Sequence, residues 1–80
     1  MHNIKFSETA FKNMQALRNQ GVDIGRLVCE LEKQLDLAVT SGQYHTVSNG
    51  LFRLIIFNHF RVDIREVFNH SYQVLSVLDS

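Results

Sequence analysis

Eighty residues, 45% of them apolar and 20% charged, make a single folded domain over 1–80 with a small core and no room for a second module. Eight basic residues balance eight acidic ones, so the chain lacks the broad positive field of most nucleic-acid binders, and any nucleic-acid site has to be local. The one cysteine, Cys29, excludes a disulfide scaffold or a multi-cysteine zinc site. Its place inside a helical pattern predicts a buried or half-buried thiol. No run approaches the about 18 apolar residues of a membrane span, and no apolar segment follows a basic start, which predicts a cytoplasmic protein without membrane contact.

Asn3-Ile4-Lys5-Phe6 alternates polar and apolar and predicts a short strand running into a helix cap at Ser7. From Glu8 to Asn19, Ala10, Phe11, Met14 and Leu17 form a helical stripe that ends at Gly21, a residue suited to the left-handed position after a helix. Asp23 caps a second predicted helix whose apolar face is Ile24, Leu27, Val28, Leu31, Leu35 and Ala38, with its stop at Gly42. The glycines of Gly21-Val22-Asp23-Ile24-Gly25 read as this helix-helix turn, since no basic residue or third glycine completes a phosphate loop.

The connector Gln43 to Asn49 includes an extended piece at Tyr44 to Val47, and Ser48-Asn49-Gly50 reads as a turn. Three runs rich in β-branched and aromatic residues follow, Leu51 to Phe57, Phe60 to Phe68 and Tyr72 to Leu78, separated by Asn58-His59 and Asn69-His70-Ser71. The whole reads as β-α-α-β-β-β, an α+β domain with a helix hairpin packed on an antiparallel sheet.

With two-residue loops at Asn58-His59 and Asn69-His70, alternation sorts the sheet onto two faces. One face, expected to be the core, collects Leu51, Arg53, Ile55, Phe57, Phe60, Val62, Ile64, Phe68, Leu75 and Val77. The other collects Phe52, Leu54, Ile56, Arg61, Asp63, Arg65, Val67, Tyr72, Val74, Ser76 and Leu78. It mixes charges with an apolar band too large to leave bare, so a partner's helix or strand, or a second copy of the chain, is expected to cover it. The expected binding face is therefore Phe52, Leu54, Ile56, Arg61, Asp63, Arg65 and Tyr72. Arg53 points at the helices in this register, and only a bulge before Asn58 returns it to the face of Arg61.

The order of elements, with Gly50-Leu51-Phe52-Arg53-Leu54, Phe60-Arg61-Val62 and Tyr72-Gln73-Val74-Leu75-Ser76-Val77, resembles the RelE/ParE superfamily, small toxins of bacterial toxin-antitoxin pairs. The likeness spans nearly the whole chain. It implies action on translation, by mRNA cleavage at the ribosome, or on gyrase, and neutralisation by a partner antitoxin. In the ribosome-dependent branch basic residues on the middle strands hold RNA phosphate. That role falls by position to Arg53 and Arg61, with Arg65 assisting. The family's basic C-terminal residues have no counterpart in Val77-Leu78-Asp79-Ser80.

On chemistry alone the residues leave catalysis open. Cleavage of RNA through its 2′-hydroxyl needs a base, an acid and a cation together, whereas His2, His45, His59 and His70 fall at a terminus, in a connector and in two turns. No paired metal ligands occur, Asp63 and Glu66 lie on opposite faces of one strand, and neither a metal nor a cofactor is expected. Neutral charge weighs against an RNA or ribosome surface, since such contacts are dominated by phosphate neutralisation. The alternative is a non-catalytic protein-binding module on the same scaffold, such as a phage or mobile-element inhibitor of a host protein that uses the exposed sheet face. A homodimer joined through that face is the plainest option.

Overall fold

The computed structural model describes residues 3–41, 45–48, 50–68 and 71–79. The expected helix stop at Gly42, the turn residues Asn49, Asn69 and His70, and His2 and Tyr44 lie outside them. The described elements are β1 (Asn3–Phe6), α1 (Glu8–Asn19), α2 (Ile24–Ser41), β2 (His45–Ser48), β3 (Leu51–Ile56), β4 (Phe60–Phe68) and β5 (Ser71–Asp79). This is the expected α+β arrangement, a helix hairpin on a sheet, with the extended piece before β3 forming a strand of its own. The sheet runs β1-β5-β4-β3-β2. Its four later strands are antiparallel neighbours, and β1 joins the β5 edge in parallel.

Both helices start, and α1 stops, where local chemistry says they should. The Ser7 hydroxyl accepts from the Ala10 N–H at 3.0 Å and donates to the Leu75 carbonyl at 2.9 Å, using both of its capacities. At the other end of α1, Val22 N–H reaches Leu17 O and Gly21 N–H reaches Arg18 O, each at 3.0 Å, with Gly21 at φ +95°. That is the Schellman pattern, and it needs a residue free to adopt positive φ. Asp23 accepts from Arg26 N–H at 3.2 Å and so caps α2.

The apolar stripes of α1 and α2 pack on one side of the sheet. Ala10, Met14 and Leu17 meet Leu27, Leu31, Leu35 and Ala38 above Phe52, Leu54, Ile56, Phe60, Val62, Ile64, Tyr72, Val74 and Val77. Phe11, which the sequence pattern places in the α1 stripe, is exposed. Cys29 is exposed too, contrary to the buried or half-buried thiol expected from the helical pattern.

The main correction concerns the faces of the sheet. Ile56 pairs with Phe60, and the His59 N–H bonds to Ile56 O at 3.2 Å, so the β3–β4 loop is Phe57-Asn58-His59, one residue longer than the expected Asn58-His59 loop, and the register of β3 shifts by one. Phe57 and Asn58 have positive φ, 53° and 64°, as a type I′ turn requires. A one-residue shift inverts every side chain of a strand. Phe52, Leu54 and Ile56, expected in an exposed binding face, are core residues, and Leu51, Arg53 and Ile55, expected in the core, turn outward.

A second correction lies on β5. The ladder runs Asp63↔Ser76 and then Ile64↔Val74, leaving Leu75 as the extra residue of a bulge. Tyr72, expected in the binding face, and Val74, expected on the same side of the sheet, therefore join Val77 in the core. Leu75, expected in the core, is only half-buried, while Phe57 and Phe68 are exposed.

Physical magnitudes favour this register. A bulky residue at positive φ costs about 1–2 kcal/mol, and the Arg26 guanidinium over the Phe57 ring, 5.2 Å from its centroid, offsets part of that cost. The other register would bury Arg53 beneath the helices, where an unpaired charge costs far more. It would exchange Phe52, Leu54 and Ile56 for Leu51, Ile55 and Phe57 in the core, so the apolar gain of about 1.5–3 kcal/mol per side chain nearly cancels and the charge decides.

Candidate functional site: the open face of the sheet

Opposite the helices the sheet presents an open face whose residues are ordered by cross-strand pairing. Arg53 stands opposite Asp63, which stands opposite Ser76. Arg61 lies between Ile55 and Leu78, and Arg65 between Leu51 and Gln73, with Lys5 beyond Gln73 on β1. Lys5 faces outward because Ile4 and Phe6, its neighbours along the strand, pack against the core. Successive outward residues of one strand are about 7 Å apart, so Arg61, Asp63 and Arg65 alternate along the middle of the face.

The structure thus brings the three arginine candidates, Arg53, Arg61 and Arg65, to one side together with Asp63. The extra loop residue returns Arg53 to Arg61's face without the bulge in β3 that the sequence reading required. Phe52, Leu54, Ile56 and Tyr72 do not join them, being buried on the other side. The apolar part of the open face is supplied by Val67 and Leu78, which the sequence places on that face, and by Ile55 and Phe68, which were expected in the core; all four are exposed. The signal for Ile55 in the sequence was the charge beside it: once the arginines are placed in water, strict alternation puts Ile55 outward.

The arginines differ in surroundings. Arg53 donates from Nε to Asp63 Oδ1 at 2.8 Å, and Asp63 Oδ2 accepts from the Ser76 hydroxyl at 3.4 Å. The hydrogen bond to Asp63 is the larger reason that the Arg53 pKa rises above its already high ordinary value; burial opposes this and the carboxylate charge adds to it. Arg53 is therefore a held, permanently charged group. The Arg61 Nε is covered and has no hydrogen-bond partner, so unlike Arg53 this guanidinium is not tied to a carboxylate through its Nε.

Other polar groups sit at the rim. Glu66 pairs with Tyr72 and accepts from its hydroxyl at 3.4 Å on the core side, which keeps it apart from Asp63 as expected. His59 meets Asp79 at 3.1 Å, tying the β3–β4 turn to the end of β5. Among the described residues no group of three or more His, Cys, Asp or Glu side chains is placed to hold a metal ion, and no helix is long and apolar enough to cross a membrane.

Two hollows accompany this surface. One, of about 290 Å³, lies at the β1 end of the open face and is lined by Asn3, Lys5, Val67, Phe68, Ser71, Tyr72 and Gln73. The other, of about 250 Å³, lies on the helix side between α2 and the β3–β4 turn, against Arg26, Cys29, Glu30, Lys33 and Phe57. Comparison of the chain with known protein families, with curated proteins and with solved structures found no match.

Proposed function

We propose that the chain is a RelE/ParE-like toxin of a toxin-antitoxin pair, acting on translation through RNA at the ribosome or on gyrase, and neutralised by a protein antitoxin. The observation that carries this reading is the gathering of Arg53, Arg61 and Arg65 on the sheet face that no helix covers. These are the positions to which the resemblance assigns phosphate contact. The charge objection loses force at the scale of the face: Lys5, Arg53, Arg61 and Arg65 stand there against Asp63 alone among the described residues. An RNA site on a neutral chain has to be local, and this surface is local.

A second reading is a protein-binding module without catalysis. It draws on the exposed Ile55, Val67, Phe68 and Leu78, which suit a protein partner's apolar side chains. It has lost part of its original support, because Phe52, Leu54, Ile56 and Tyr72 belong to the core, while Val67 of the same expected band stays exposed and the neutral charge is unchanged. Induced expression in a bacterial host separates the two. Wild type is expected to arrest growth, and Arg61→Ala to relieve the arrest while keeping the wild-type circular dichroism and melting temperature. Harmless expression of the wild type counts against the toxin reading and leaves the binding module standing.

A further inference from the structure

The hollow at the β1 end of the open face combines three kinds of group. Phe68 is 75% exposed, and its neighbour Val67 is the extra residue of a β4 bulge, so an aromatic ring is held out at the surface with an apolar wall beside it. Lys5 lines the same hollow, and Arg65 stands next to it as the cross-strand partner of Gln73. Asn3, Ser71 and Gln73 add amide and hydroxyl groups able both to donate and to accept hydrogen bonds.

An exposed aromatic flanked by cations, over a floor of amide side chains, is the composition that binds a nucleotide of a single strand. The ring stacks on the base, the cations hold phosphate, and the amides meet base edges. We infer that this hollow is a single-nucleotide subsite for single-stranded RNA, with Phe68 stacking the base, Lys5 and Arg65 holding the flanking phosphates, and Asn3 and Gln73 reading the base edge. The inference rests on the reading that the open face contacts RNA, and it extends that contact from the arginine rows to the β1 edge. A volume of about 290 Å³ is at the small end of ligand sites, which suits one base and excludes a bulky cofactor. An acidic peptide would use Lys5 and Arg65 equally well, but it has no need of a stacking ring or of paired donors and acceptors at Asn3 and Gln73.

Binding of a fluorescein-labelled, eight-nucleotide single-stranded RNA, followed by anisotropy across a salt series, tests the assignment. Phe68→Ala is expected to weaken binding roughly tenfold with the salt dependence unchanged, and Phe68→Tyr to restore it. Lys5→Ala is expected to weaken binding and to reduce the slope of log affinity against log salt by about 0.7. Both side chains lie at the surface, and matching melting curves confirm that the variants are folded. If wild type binds, Arg61→Ala binds poorly and Phe68→Ala binds like wild type, the subsite is wrong and the basic-face reading survives. If wild type binds no RNA even at low salt, the RNA reading fails with it. If instead an acidic peptide of glutamate and leucine binds with the same dependence on Phe68, the occupant is a protein segment and the inference is overturned.

Discussion

Ile56 has no exposed surface, whereas Ile55 beside it is 49% exposed, and this difference follows from a β3–β4 loop of three residues in place of two. Ile56→Ala is expected to cost about 2–5 kcal/mol in chemical denaturation, against no more than about 0.5 kcal/mol for Ile55→Ala. Equal costs would contradict the register. Gly21→Ala isolates a backbone effect, since a Cβ there meets nothing within 4 Å while φ is +95°; a loss of about 1 kcal/mol is expected. The sequence reading placed the β3–β4 turn by the turn preference of Asn58-His59 and so turned Arg53 inward. A better guide was already legible in Phe52-Arg53-Leu54-Ile55-Ile56. Burying an unpaired guanidinium costs more than straining Phe57 into positive φ, so charge placement outranks turn propensity when they disagree.

Among the elements, α1 does more than cover the sheet. Strand β1 pairs with β5 only from Ser71 to Val74, and beyond it α1 supplies the partners of the β5 edge. Ser7 donates its hydroxyl to Leu75 O, and further along α1 Asn13 Oδ1 accepts from Val77 N–H at 3.1 Å. These bonds hold the Leu75 bulge, which puts Tyr72 and Val74 on the same side as Val77. Ser7→Ala removes the cap of α1 and leaves the bulge carbonyl without its donor, and is expected to destabilise by about 1–2 kcal/mol. For a domain of this size that lowers the melting temperature by about 4–8 °C per kcal/mol; an unchanged melting temperature would deny Ser7 this role. Helix limits at Ser7, Gly21 and Asp23 were legible because capping is local in sequence. The bulge was not, since it depends on a contact between Ser7 and Leu75, far apart in the chain.

For the molecule as a whole, a formal charge of zero conceals an uneven distribution. The helices and their caps carry Glu8, Asp23, Glu30, Glu32 and Asp36 with Lys12, Arg18, Arg26 and Lys33, while the open face carries Lys5, Arg53, Arg61 and Arg65 with Asp63. Glu66 and Asp79, at the rim, complete the balance. Composition cannot express this segregation, because it arises only when the register assigns each strand residue to a face. The central claim is that this basic sheet face, and not charge in general, carries the activity. Growth after induction therefore compares wild type with two triple variants, Arg53, Arg61 and Arg65 to Ala on the open face, and Lys12, Arg18 and Lys33 to Ala on the helices. The account predicts arrest by wild type and by the helix triple, and normal growth with a folded open-face triple. It is contradicted if wild type is harmless or if both triples lose the arrest alike.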